Sequence, residues 1–241
     1  MFINKTGSYH LDYGLNNQDY GLDLPGFKLV VDGCSEGKHS EVGAKLFCCN
    51  FSQNRNLNLG DIFKSKEDAE KIITNIFKNL INYFDYSCHF SILDDLFNWK
   101  YKASKIIKDY LCFTIAYIAE TEETFELGYC GDGYVILETN EGNFNIVQLG
   151  NGGNYPKYFA YNYIPPEKLS HYKEGVKIDT RSFSKEYFKR CGVATDGFRF
   201  IFEQGFYSEF IDYLRNDRQE AIKRLINREA RIFRDDITIA F

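Results

Sequence analysis

The chain has 241 residues, 44% of them hydrophobic and 17% aromatic, which is enough for a substantial core and excludes a disordered chain. Its net charge of -5 argues against general nucleic-acid affinity, and no basic block or basic amphipathic stripe points to a membrane surface. No apolar run approaches the ~20 residues needed to span a bilayer, and "MFINKTGSYHLDYG" lacks the long apolar core of a signal peptide, so a cytoplasmic protein is expected.

In chain order, Gly7 to Val31 reads as two strands, "GSYHLDYG" and "FKLVVD", around the polar stretch "LNNQDYGLDLPG". The second strand ends on Asp32-Gly33. From Ser40 the pattern turns helical, with Val42, Lys45, Leu46 and Cys49 spaced along one side. "KEDAEKIITNIFKNLINYF" is a second helix with Ser65 as N-cap and Ile72, Ile73, Ile76, Phe77, Leu80 and Ile81 facing inward. A third helix, starting near Leu93 or Tyr101, precedes "LCFTIAYIAE".

The period then becomes two. "LCFTIAYIAE", "TFELGYCGDGYVILET" and "NFNIVQLG" read as consecutive strands of a meander. Tyr155 to Thr180 is irregular and aromatic, "YFKRCGVATDG" is a strand running into a loop, "DRQEAIKRLINREARIF" is a helix, and "DDITIAF" is a closing strand. Helices in two blocks, flanked by sequential strands, favour an antiparallel α+β layered domain over a doubly wound parallel sheet. With four prolines and no Pro-rich linker, the expectation is one domain over residues 1–241. The seven cysteines form no CxxC pair, which fits buried reduced thiols rather than a zinc site or a disulfide framework.

Chemistry gathers where strands give way to turns: Asp19, Asp32, Asp132, Asp196, Asp235 and Asp236, three of them followed by glycine. Any single Asp-Gly is an ordinary turn signal. Carboxylates converging from separate strands, however, repel one another, and hard divalent cations relieve that repulsion. Oxygen-only ligation selects magnesium, manganese or calcium over zinc.

The motifs "NNQDY", "VVDGCSEGKHSEVGAKL", "GYCGDGYVIL", "VATDGF" and "DDITIAF", in this order, resemble those of the metal-dependent Ser/Thr phosphatases of the protein phosphatase 2C family, in its bacterial single-domain type. The resemblance runs from residue 8 to 241. It implies a four-layer α-β-β-α sandwich with two central, mostly antiparallel sheets, and two divalent cations, Mn or Mg. By the same resemblance Asp32, Asp196 and Asp235 hold the first ion, and Asp32 with the Gly33 carbonyl holds the second. Gln18 and Asp19 fix waters at the second ion, and Asp132 matches an acid of a third site. The implied reaction is attack of a metal-bridging water on phosphoserine or phosphothreonine of a protein, such as the target of a Ser/Thr kinase, by a monomeric enzyme.

This chain departs from the family pattern at several positions. Gln18 stands where the motif has Glu, Gly133 where it has Ser, and Phe200 where a third-site acid is usual. The family's phosphate-contacting Arg aligns with Gly14, which leaves that contact to Lys38, His39 or another cation. The usual flap segment is not recognisable in Gly150 to Thr180. These departures keep open a pseudophosphatase that binds a phosphoprotein without turnover, and a phosphatase of a small phosphorylated metabolite is a third reading. His39 reads as a solvated loop histidine ahead of a general acid, and Cys34 as a bystander thiol because no Cys-x5-Arg signature accompanies it.

Overall fold

A computed structural model of the chain describes residues 1–52, 59–63, 65–87, 104–150, 156–169, 175–203 and 205–241. Its strands are β1 (Phe2–Lys5), β2 (Tyr20–Leu24), β3 (Phe27–Gly33), β4 (Phe113–Glu120), β5 (Thr124–Cys130), β6 (Gly133–Thr139), β7 (Phe144–Leu149), β8 (Asp179–Ser184), β9 (Phe188–Ala194) and β10 (Ile237–Ala240). They form two five-stranded sheets, ordered β2-β3-β4-β5-β8 and β1-β10-β9-β6-β7, with antiparallel neighbours throughout. The helices are α1 (Ser8–Tyr13), α2 (Ser40–Ser52), α3 (Leu59–Ile62), α4 (Lys66–Ser87), α5 (Phe200–Glu203), α6 (Tyr207–Arg215) and α7 (Gln219–Arg228).

Three apolar layers hold the stack together. Phe27, Leu29 and Val31 of β3 and Phe113, Ile115 and Tyr117 of β4 pack against Phe47, Phe51, Ile73 and Phe77 of α2 and α4. Val30, Ala116 and Ile118 take the opposite faces of the same strands and meet Val135, Val193 and Ala240 of the second sheet. Ile237 and Ile239 then turn outward onto Phe210, Leu214, Ile222 and Leu225 of α6 and α7. The result is the expected α-β-β-α sandwich. β4 is covered on both faces, so its run is apolar without alternation, whereas the edge strand β7 alternates. Each buried Phe contributes roughly 1.5–3 kcal/mol relative to exposure.

Ser65 caps α4 as its sequence predicts: its Oγ accepts from Asp68 N–H at 3.1 Å and donates to Asp68 Oδ2 at 2.7 Å. Ile73, Ile76, Phe77 and Leu80 are buried, with Ile72 and Ile81 half-covered beside them.

Four expectations need correction. "GSYHLDYG" is helical, because Gly14 ends it in a left-handed C-cap and carbonyls of Phe233 and Arg234 take its first free N–H groups. The inward face of α2 is Ser40, Gly43, Ala44, Phe47 and Cys48, while Val42 is exposed. Gly43 decides that rotation, since a Cβ there would stand 1.7 Å from the Tyr110 carbonyl oxygen. The expected meander is split. β4 and β5 lie in one sheet and β6 and β7 in the other, so the chain crosses between sheets at Gly131-Asp132. The supposedly irregular stretch ends in an edge strand, β8, and α6 was not expected as a helix.

The expected helix start near Leu93 or Tyr101 lies outside the described residues; the described chain before β4 ends in a π-helical turn, Ile107–Leu111. Part of the segment from Gly150 to Thr180 also lies outside them. The six described cysteines are all free thiols. No described helix is long and apolar enough to cross a membrane.

Candidate metal centre

Antiparallel pairing brings four strand junctions to one end of the sandwich. The pairs Tyr134↔Ala194 and Ile239↔Ala194 align the start of β6, the end of β9 and the start of β10. In the other sheet, Asp32↔Thr114 and Ile115↔Cys130 align the ends of β3 and β5. Asp32 shares the face of Val30, the face between the sheets, so its carboxylate enters the gap where the sandwich opens. A cleft of about 710 Å³ lies there, lined by Asp32, Gly33, Asp132, Asp196, Asp235 and Gln18 among others.

Close backbone approaches fix these junctions. A Cβ on Gly33 would come within 2.8 Å of the Gln18 carbonyl oxygen and of Ser40 Oγ, and one on Gly197 would lie 1.9 Å from the Asp236 carbonyl oxygen. Glycine after Asp32 and after Asp196 is therefore required by packing, beyond any turn preference.

Asp19 is placed differently from the other acids. It is not among the residues lining the cleft; its carboxylate is buried in contact with Asp32 and accepts a hydrogen bond from Thr195 Oγ1 at 2.5 Å. Asp236 is a second buried hub. Its carboxylate accepts from Gly7 N–H at 2.8 Å and from Gln18 N–H at 2.5 Å, and pairs with His10 Nδ1 at 2.8 Å. It thereby ties α1 and the Gln18 segment to the start of β10.

Electrostatics gives the cluster its chemistry. Burial pushes the Asp32 carboxyl well above the usual carboxylate range, and Asp19, Asp196, Asp235 and Asp132 push it further. Burial likewise raises Asp19, Asp132 and Asp235. Burial and then Asp235 lift Asp196 to about 6, against a lowering pull from Arg199. A raised carboxyl contributes stability below its unfolded value, near 3.9, and that contribution is lost as pH climbs through the folded value. Chelator-treated protein is therefore expected to lose stability between about pH 4 and about pH 6, and saturating manganese should flatten that slope. Thermal unfolding across this range, with and without the ion, checks both parts.

The donor set fits hard divalent cations: carboxylate and carbonyl oxygens only, with a surplus of negative charge. Among the described residues, however, no three His, Cys, Asp or Glu side chains already close on one point. Asp196 and Asp235 are instead gathered about a guanidinium, with Arg199 Nη1 at 2.8 Å from Asp196 Oδ2 and Nη2 at 3.3 Å from Asp235 Oδ2. Four residues past Asp196, the Phe200 ring packs on Phe233, so the second acid of a third ion site is replaced by core. Cys112 also lines the cleft, but burial pushes its thiol up to about 12, which keeps it protonated and inert.

Sequence reasoning singled out Asp32, Asp132, Asp196 and Asp235 of the acids that line the cleft, and passed over Glu36 and Asp109. It missed the roles of Asp236, His10, Thr195 and Arg199. Only Asp236 gave a signal, as one more acid at a strand end.

The protein phosphatase 2C family matches residues 6–228. The chain belongs to that family. The protein phosphatase 2C match stops short of Asp235 and Asp236, and it is the pairing of β10 with β9 that sets Asp235 beside Asp196. No curated protein matches the chain. Solved structures share the protein phosphatase 2C fold at low identity. The serine/threonine phosphatase PstP/Ppp of Mycobacterium tuberculosis is 14% identical with a TM-score of 0.60, over 99% of this chain and 95% of that one. A catalytic domain of PstP in complex with two manganese ions is 13% identical with a TM-score of 0.60, over 99% and 94%. The serine/threonine phosphatase Stp1 of Staphylococcus aureus is 15% identical with a TM-score of 0.53, over 99% and 92%.

Proposed function

We propose that this protein phosphatase 2C member is a metal-dependent phosphoric monoester hydrolase that removes phosphate from phosphoserine and phosphothreonine of proteins, the products of Ser/Thr kinases. The observation that carries this reading is the Asp32 carboxylate, desolvated and faced by four further acids from other junctions of the fold. Such a group is stable as an anion only beside a cation.

In this reading Asp32, Asp196 and Asp235 hold one divalent ion, Mn or Mg, and Asp32 with the Gly33 carbonyl holds a second. The manganese pair of PstP supports that number. When bound, two such ions supply Lewis acidity and a nucleophilic water at neutral pH. Gln18 orients water at the cleft wall, and Asp19 fixes Asp32. Asp132 adds one more oxygen across the cleft. In this reading the enzyme is cytoplasmic, single-domain and monomeric, its partners are phosphoproteins, and the net charge of -5 argues against nucleic acid as one of them.

The test is release of inorganic phosphate from phosphoserine and phosphothreonine peptides in manganese, and its loss on chelation. Tight phosphopeptide binding with no release would replace the enzyme by a binding module, the reading that Gln18, Gly14 and Phe200 keep open. Release from small phosphate esters alone would move the substrate class to metabolites.

A further inference from the structure

We propose that Arg199 is the group that binds the phosphoryl oxygens of the substrate, its guanidinium held at the cleft wall by Asp196 and Asp235. The inference rests on the phosphatase reading above and adds a residue to it.

The cations lining the described cleft are Lys108, Lys168 and Arg199. Lys108 Nζ is directed to the Lys168 carbonyl oxygen at 3.5 Å. Neither Lys38 nor His39 lines the cleft; the His39 ring packs on Tyr110 at 5.1 Å between centroids. Gly14 offers no side chain, and no atom lies within 4 Å of where its Cβ would be.

Arg199 forms ion pairs with two acids of the candidate metal centre. It follows Asp196 by three residues in the helical turn Asp196–Arg199, which sends both side chains to one side. Its guanidinium lies 4.9 Å from the centroid of the Phe200 ring, which steers it. Two of its nitrogens meet Asp196 and Asp235, yet 42% of the side chain stays accessible to solvent, and Arg199 lines the cleft. A guanidinium presents five N–H donors, so two carboxylates leave donors for a third anion. Its planar fork matches a phosphoryl group bidentately, which an ammonium cannot do. Any phosphate ester drawn to ions on Asp196 and Asp235 arrives beside this fork.

The experiment compares wild type with Arg199→Gln and Arg199→Lys, all manganese-loaded, reading inorganic phosphate affinity and manganese stoichiometry by calorimetry and KM against kcat for p-nitrophenyl phosphate. The expected result is a loss of phosphate affinity of about tenfold or more in Arg199→Gln, with a matching rise in KM and unchanged manganese stoichiometry. Arg199→Lys should recover part of the affinity. Unchanged phosphate affinity in Arg199→Gln overturns the proposal, as does a loss of manganese from that variant, which would make Arg199 a structural clasp for the two acids. Should Arg199→Gln fail to fold, wild-type affinity in Arg199→Lys overturns it. An inactive wild type with Arg199-dependent phosphate binding would end the enzyme reading and keep the anion site; an active wild type with Arg199-independent binding would do the reverse.

Discussion

Asp32→Asn is expected to abolish manganese-dependent phosphate release while making the chelator-treated protein more stable. The two effects have one cause. Asp32 sits at the end of β3 with its carboxyl desolvated and opposed by Asp19, Asp196, Asp235 and Asp132, so its charge costs the fold in the absence of a counter-ion. An amide keeps the shape and removes the repulsion, for a gain of about 0.5–2 kcal/mol in denaturant unfolding. The same change removes the one carboxylate assigned to both ions. With Lewis-acid stabilisation worth several kcal/mol, turnover should fall by about a thousandfold or more. A variant that is less stable, or that retains turnover within tenfold, contradicts this account of Asp32.

Asp236→Ala acts in the opposite sense on stability. Its carboxylate receives Gly7 N–H and Gln18 N–H and pairs with His10, all within hydrogen-bonding distance, the Gly7 and His10 contacts buried and the Gln18 contact part-buried. Removing it leaves three polar groups without their acceptor, at a cost of about 3–5 kcal/mol, typical for breaking a buried charged network. Asp236→Asn keeps one acceptor oxygen and should recover part of that loss. The segment carrying Gln18 and Asp19 is anchored through this hub, so manganese affinity should weaken in both variants. Urea unfolding with calorimetry reads both quantities; a destabilisation under 1 kcal/mol for the alanine variant would show that the hub does not hold α1 to β10.

Legibility in the sequence followed the length and strength of each pattern. α4 offers six turns of spaced isoleucine, phenylalanine and leucine behind a serine cap, and β4 offers an eight-residue strand with seven residues buried. Both are readable without tertiary knowledge. α1 has six residues, too few to separate a period of 3.6 from a period of 2, and its helical form depends on carbonyls of Phe233 and Arg234 at the far end of the chain. The rotation of α2 depends on the approach of the Tyr110 carbonyl to Gly43, a contact between residues 67 positions apart. The crossing between sheets at Gly131-Asp132 leaves the alternation of β5 and β6 intact, so periodicity carries no trace of it.

The site divides in the same way. Asp32, Asp132, Asp196 and Asp235 could be picked out as acids at strand ends, because desolvated charge there needs an explanation. Gly33 and Gly197 read as the glycines of Asp-Gly turns, with the Gly33 carbonyl a metal ligand by resemblance, while the particular backbone oxygens they admit at under 3 Å belong to packing. Arg199 and His10 had no local signal. An arginine one turn after an aspartate is ordinary on any helical surface, and its bridge to Asp235 exists only because β10 returns beside β9.

The central claim is that acids distant in sequence converge to hold divalent ions. A calorimetric titration of manganese into chelator-treated protein tests it most directly. Two ions per chain for wild type, the number bound by the PstP catalytic domain, with binding lost in Asp32→Asn, is the predicted outcome. Failure of wild type to bind, or binding that survives Asp32→Asn undiminished, would contradict it.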